Sequence, residues 1–236
     1  MVYEEKIKIE AAKCDESGRM HLSDIALELQ NLADRQLKPL GLRGPDIRGQ
    51  GYMWVLVKRY MEFKRFPRAG EELQFYTWTA KSRHGFCPRR YRIAAGDEIL
   101  MDTVCQWVVI DDKNREMVAD PGFLDELPEG TMPGELKMPK MPKAWPELTE
   151  RRSKLASDRD IDANGHVNNS RYLAWAMEIW DEHSAGEDPK TVMIEYTKEV
   201  MAGEELALCY AFEGDKLYLR GEHGGNTNFS IIMGRA

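Results

Sequence analysis

Residues 160–172 read Asp160-Ile161-Asp162-Ala163-Asn164-Gly165-His166-Val167-Asn168-Asn169-Ser170-Arg171-Tyr172. Asp162, Asn164 and His166 stand at alternate positions, and in extended chain alternate side chains point the same way. A carboxylate, an amide and an imidazole held together can orient a base, donate to a developing oxyanion and move a proton, which are the parts that hydrolysis of an acyl group needs. The helix that follows adds unpaired N–H groups and the positive end of its dipole. Asn and Asp clusters ahead of a helix also serve as caps and turns, and a lone His among them is often structural. The residues alone leave both readings open.

The elements that must position this segment occur twice. Residues 61–73, MEFKRFPRAGEEL, align without gaps on residues 194–206, IEYTKEVMAGEEL, at an offset of 133. Upstream, His21-Leu22 and His166-Val167 each precede a helical stretch, at an offset of 145. The first half therefore carries about 12 more residues between helix and strand, around GLRGPDIRGQGY. A fixed internal offset with the same order of elements reads as duplication.

Each half is expected to run strand, helix, several strands. The first strands fall at about 3–12 and 151–157, the helices at about 22–37 and 168–183. Leu22, Ile25, Leu29 and Leu32 form one apolar face of the first helix, with Ser23 or Asp24 as its cap. The second helix is apolar nearly all round (Tyr172, Leu173, Trp175, Ala176, Met177, Ile179, Trp180), as a helix wrapped by other elements must be. Leu73–Thr79 and Val104–Ile110 have strand composition, and AGEEL reads as a hairpin turn bending at Gly70 and Gly203. Six of the eleven prolines lie in residues 120–150, which reads as an extended linker. The implied organisation is a domain at 1–119, a linker at 120–150 and a domain at 151–236. The fold class is α+β, a tandem hot-dog with an antiparallel sheet wrapped around a long helix in each half.

Composition narrows the function. The 236 residues suffice for two cores of about 100 residues each. No apolar run is long enough to span a membrane, and the first residues, MVYEEKIKIEAA, look like neither a signal nor a transit peptide, so a cytoplasmic protein is expected. The net charge of −7 argues against general nucleic-acid binding. Cys14, Cys87, Cys105 and Cys209 form no CxxC pair, and no metal-ligand spacing or phosphate-binding glycine loop is present, so no metal or cofactor is expected.

The segment DIDANGHVNNSRYLAW resembles the signature of the plant and bacterial acyl-ACP thioesterases (ACP, acyl carrier protein), which runs Asp-x-Asn-x-His-Val-Asn-Asn-x-x-Tyr. Residues 195–200, Glu-Tyr-Thr-Lys-Glu-Val, resemble that family's second landmark, Glu-Tyr-x-x-Glu-Cys. Trp54-Val55, Tyr76-Thr77-Trp78 and Cys105-Gln106-Trp107-Val108-Val109 extend the likeness through the first half, from about Tyr3 to about 225. The resemblance implies hydrolysis of fatty acyl-ACP, with Asp162, Asn164, His166 and Glu199 catalytic. It departs at Val200, where plant members have a Cys; Val cannot attack a thioester, so general-base attack by water is the mechanism implied. Which group takes the proton stays open. Under the internal offsets, Asp162, Asn164, His166 and Glu199 correspond to Ser17, Arg19, His21 and Phe66, so catalysis belongs to the second half.

The resemblance implies that the first half holds the acyl chain, and Leu29, Leu32, Ala33, Met53, Trp54, Leu56, Phe75 and Trp107 are its expected lining, though each is equally an ordinary core residue. An acidic carrier protein needs a basic patch for encounter, and Lys81, Arg83, Arg89, Arg90 and Arg92 supply one, unless they merely blunt a sheet edge. Arg151, Arg152 and Lys154 form a second cluster. Competing readings are an acyl-CoA thioesterase, a silent acyl-thioester sensor and a hot-dog dehydratase. A homodimer of the tandem unit is left open.

Overall fold

The computed structural model describes residues 1–162 and 164–235, leaving Ala163 and Ala236 outside the described residues. The first half contains β1 (Tyr3–Lys8), α1 (Leu22–Leu37), α2 (Gly44–Arg48), β2 (Tyr52–Phe63), β3 (Glu72–Thr79), β4 (Phe86–Ala95) and β5 (Glu98–Asp111). The second contains β6 (Glu150–Leu155), α3 (Asn169–His183), β7 (Thr191–Tyr196), β8 (Glu205–Glu213), β9 (Lys216–His223) and β10 (Asn226–Gly234).

All ten strands join one antiparallel sheet in the order β1-β3-β4-β5-β2-β7-β10-β9-β8-β6. The order within each half is the same, first-third-fourth-fifth-second, so the duplication read from the offsets is present in the topology. The halves meet where β2 pairs β7, with Lys58 opposite Glu195, Tyr60 opposite Met193 and Glu62 opposite Thr191. Tyr60 and Met193 are themselves 133 apart (193 − 60), so a pseudo-twofold passes through that pair. This is a tandem hot-dog whose two sheets fuse edge to edge, which removes two edges that would otherwise be open for pairing.

Helices α1 and α3 pack against each other, and both contribute to one apolar core with the inward strand residues. Leu22, Ile25, Leu29 and Leu32 of α1 are buried as its periodicity requires. The cap differs: His21 is the N-cap and makes no side-chain capping bond, while Asp24 sits in the first turn. The AGEEL segments bend at Gly70 (φ 84°) and Gly203 (φ 81°), but neither closes a hairpin. β2 and β3, like β7 and β8, are not neighbours, so each bend ends a crossover to the far side of its half. Five-residue similarity shows a turn, but adjacency of strands is decided by register elsewhere.

Residues 120–150 carry only a 3₁₀ turn at Leu124–Glu126 before β6. Phe123 and Leu127 enter a second apolar cluster with Leu37, Leu42, Ile47, Cys87 and Val109. Among the described residues no helix is long and apolar enough to cross a membrane.

Candidate active site

The segment before α3 is a tight turn, where alternation predicts extended chain. Gly165 N–H donates to the Asp162 carbonyl at 3.0 Å, and Gly165 has φ 86°, a conformation natural only to glycine. Asp162 N–H donates to the His166 carbonyl at 2.8 Å. Asp162 and Asn164 still meet: Asn164 N–H donates to Asp162 Oδ1 at 2.7 Å, and its amide nitrogen lies 3.4 Å from Oδ2. An Asx-type turn thus replaces the pleat in bringing them together.

The turn is fastened at both ends. Asp160 is 4% exposed. It accepts from Ser157 N–H (3.0 Å), the Ser157 hydroxyl (2.7 Å) and Arg171 Nε (2.7 Å). Burial opposes its ionisation, but these bonds hold the carboxyl below its ordinary value. Asn168 caps α3, accepting from Ser170 N–H at 2.9 Å, and its carbonyl takes Arg171 N–H at 2.8 Å. Two of the first-turn amides, those of Ser170 and Arg171, are therefore already engaged.

Glu199 comes from the segment after β7. A bulge in β10 between Thr227 and Phe229 positions it: Thr197 and Lys198 N–H donate to the Asn228 carbonyl, and Asn228 Nδ2 donates to the Glu199 carbonyl at 3.1 Å. His166 Nε2 lies 3.4 Å from Glu199 Oε2. So the four residues form two pairs, Asp162 with Asn164 and His166 with Glu199, joined through the Asp162–His166 backbone bond. Val200 is fully buried, its carbonyl accepting from Val167 N–H.

Arg115 is a partner that no motif announced. It follows β5 in the first half, adopts φ 64°, and places Nη2 against both carboxylate oxygens of Glu199 while Nη1 lies 2.8 Å from Met53 Sδ. Its signal is absent from the sequence because the two residues are 84 apart and joined only by folding.

A cavity of about 500 Å³ runs from Asp162, Asn164, Asn168 and Asn169 into the first half, between α1, α2 and strands β2 to β5. Ala33, Met53, Trp54 and Trp107 line it. Leu29, Leu32, Leu56 and Phe75 do not; they are at most 2% exposed and belong to the main core. Helical geometry explains the division: Gln30, Ala33, Asp34 and Leu37 form the stripe of α1 on the cavity, while Leu29 and Leu32 lie on the stripe toward the core. Gly44, Pro45 and Arg48 of α2 supply another wall, so the extra residues of the first half build the pocket. Cys87 faces the cavity too, but burial pushes its thiol up, away from the nucleophilic thiolate.

The expected basic patch is largely consumed by the fold. Arg89 and Arg92 are 4% and 6% exposed. Arg89 points inward to Gln36 and Thr77, and Arg92 pairs with Asp102 at 2.6 Å. Arg90 packs against Glu135 and the Leu136 carbonyl. Lys81 and Arg83 remain exposed. In the second cluster, Arg152 pairs with Glu182, and Lys154 with Glu178. Strand alternation turns Arg89 inward with Tyr91 and Ile93 regardless of charge, while Arg90 and Arg92 share the other face, where Arg92 also donates to the Pro133 carbonyl at 3.1 Å.

Residues 1–122 match the acyl-ACP thioesterase N-terminal domain, and residues 150–232 the acyl-ACP thioesterase C-terminal domain. An acyl-[acyl-carrier-protein] hydrolase, FATB2, chloroplastic, of Cuphea viscosissima is 25% identical over 75% of this chain and 47% of its own length. A chloroplastic palmitoyl-acyl carrier protein thioesterase of Cuphea hookeriana is 27% identical over 67% of this chain and 40% of its own. The chain thus spans about half the length of these curated relatives or less. Among solved structures, an acyl-ACP thioesterase from Bacteroides thetaiotaomicron superposes with a TM-score of 0.87 at 19% identity, over 99% of this chain and 97% of that one. A 12:0-ACP thioesterase from Umbellularia californica gives 0.82 at 17% identity, over 99% and 96%. The likeness to these two structures is one of fold, while the matched domain models cover both halves, and the chain belongs to the acyl-ACP thioesterase family.

Proposed function

We propose that this chain hydrolyses the thioester of fatty acyl-ACP, releasing the fatty acid and the carrier, by general-base attack of water in the second half. The observation that carries this reading is the cavity, which lies mostly in the first half and opens on Asp162 and Asn164. An acyl chain lying in it brings its thioester carbonyl to the Asn164 amide. Water placed between the carbonyl and the His166–Glu199 pair loses its proton to that pair, with Glu199 as the base and His166 orienting it. Oxygen attacks the carbonyl carbon, the oxyanion is held by Asn164, and the intermediate expels the pantetheine thiolate, which takes a proton. Asp162 fixes Asn164 and the turn. In this scheme residues 1–119 hold the chain, 120–150 link, and 151–236 carry the catalytic groups. The carrier is received at the exposed Lys81 and Arg83, whose charges raise the encounter rate.

The test is thiol release from acyl-ACPs of graded chain length by the wild type and by Glu199→Gln. A general base contributes about 10²–10⁴ in rate, so kcat is expected to fall by that order in the variant with the fold intact. Unchanged kcat overturns the assignment of Glu199. A wild type that binds acyl-ACP without hydrolysing it favours a sensor. The same acyl group on coenzyme A, turned over faster, moves the carrier from ACP to CoA.

A further inference from the structure

The cavity has a polar floor that a plain hydrocarbon chain does not explain. Arg89 of β4 pairs across the sheet with Thr79 on one side and Cys105 on the other, and Cys105 pairs with Arg59. Paired residues in antiparallel strands share a face, so these four side chains form one row beneath α1. Thr79 and Arg89 line the cavity directly, as does Trp107, two residues along β5 from Cys105.

Arg59 is 1% exposed and Arg89 4%, yet neither guanidinium pairs with a carboxylate among the described residues. Among the described residues Arg59 reaches only the Cys105 sulfur, at 3.3 Å, with its Nη1 unpartnered. Arg89 gives Nη1 to the Gln36 amide oxygen at 2.6 Å and to Thr77 Oγ1 at 3.0 Å. The Thr79 hydroxyl, the Tyr91 hydroxyl and the Trp107 indole N–H are likewise buried without partners. Asp34 faces the cavity from α1, where burial raises its carboxyl and the charges of Arg43 and Arg89 oppose the rise, but it makes no hydrogen bond or ion pair with Arg89. Buried guanidinium groups are retained at large cost unless something accepts their hydrogen bonds, and here donors outnumber acceptors on one wall.

We infer that the acyl group this pocket takes carries an acceptor oxygen remote from the thioester, a carboxylate being the best match, bound at Arg89 with Thr79 and Trp107 beside it and Arg59 behind. A carboxylate there supplies the charge the two arginines lack and accepts the paired N–H groups of a guanidinium fork. The inference takes the reaction from the thioesterase reading, but the pocket's preference is measurable without it.

Acyl-ACPs matched in length and ending in methyl, hydroxyl or carboxylate are to be compared on the full chain. A site built to bond a polar group strongly rejects the analogue lacking it, so kcat/KM for the carboxylate chain should exceed that for the methyl chain by about tenfold or more. Arg89→Met should invert the order, and the milder Thr79→Val should narrow it if Arg89→Met fails to fold. Calorimetry with free dicarboxylic and monocarboxylic acids of equal length provides the binding arm. A preference for methyl-ended chains in the wild type, or one that neither variant moves, overturns the inference. Dicarboxylate binding lost in Arg89→Met, with no hydrolysis of any substrate, sinks the thioesterase reading and leaves the pocket assignment standing.

Discussion

Glu199 is held between His166 on its own half and Arg115 from the other, and the second contact sets what the carboxylate can do. Arg115 holds the Glu199 carboxylate at the junction of the halves and does not line the cavity, so in the proposed scheme its role is positioning. Arg115→Met should therefore lower kcat by about tenfold, well short of the loss of the base itself, with KM little changed, and Arg115→Lys should recover part of it. A rise in kcat in Arg115→Met would instead show that the ion pair withholds Glu199 from water. The contrast with the motif residues shows what a sequence carries at this scale. Asp162, Asn164 and His166 are legible because one local turn positions them. The contacts of Arg115 with Glu199, of Arg89 with Gln36 and of Arg92 with the Pro133 carbonyl join residues far apart in the chain, which no short window contains.

Elements decide the size of the pocket and the firmness of α3. Ala33 lies on the cavity stripe of α1, so Ala33→Leu fills space that the proposed acyl chain would occupy, and the preferred chain should shorten when the acyl-ACP panel is repeated; an unchanged profile would remove α1 from the proposed acyl site. On the other half, Gly221 of β9 lies opposite Phe229 of β10, and a Cβ there would sit 2.0 Å from the ring. Phe229 in turn packs on Tyr172 and Trp175 of α3, with centroids 4.6 Å and 6.2 Å away. Gly221→Ala should thus push the ring into the helix that carries the catalytic turn, costing about 1–3 kcal/mol in a denaturant titration. A stability equal to wild type would mean that the ring has room to move. The first helix was legible from its apolar periodicity, the second from being apolar nearly all round, and the duplication from two offsets. The wall built by α2 was not: its residues showed only as added length, because a short helix with one buried residue, Ile47, leaves no periodic trace.

Across the whole molecule the duplication has given the two halves different work at equivalent positions. Arg19 stands where the second half has Asn164, and it acts as a clamp between halves. Its guanidinium bonds Asp15 at 2.8 Å within the first half and Asp181 and Asp188 of the second, each at 2.9 Å. Burial opposes ionisation of Asp15, but Ser17 and Arg19 overcome this and hold its carboxyl down at about 2. A carboxyl lowered on folding contributes stability that is complete above its unfolded value of about 4 and is lost as pH falls through that value toward its folded one. The clamp should accordingly loosen between about pH 4 and 2. Asp15→Asn is expected to lower Tm at neutral pH and to flatten the fall of Tm across that acid window, relative to wild type. Parallel Tm curves for the two proteins would show that Asp15 contributes nothing to the linkage. Arg19→Met removes all three pairs and should cost about 2 kcal/mol even where every carboxylate is ionised. Its effect should extend to the second half, because Asp181 and Asp188 flank the end of α3, the helix on which the catalytic turn is mounted. The first half, with Arg19 at the position of Asn164, thus keeps a hand on the proposed site in the second.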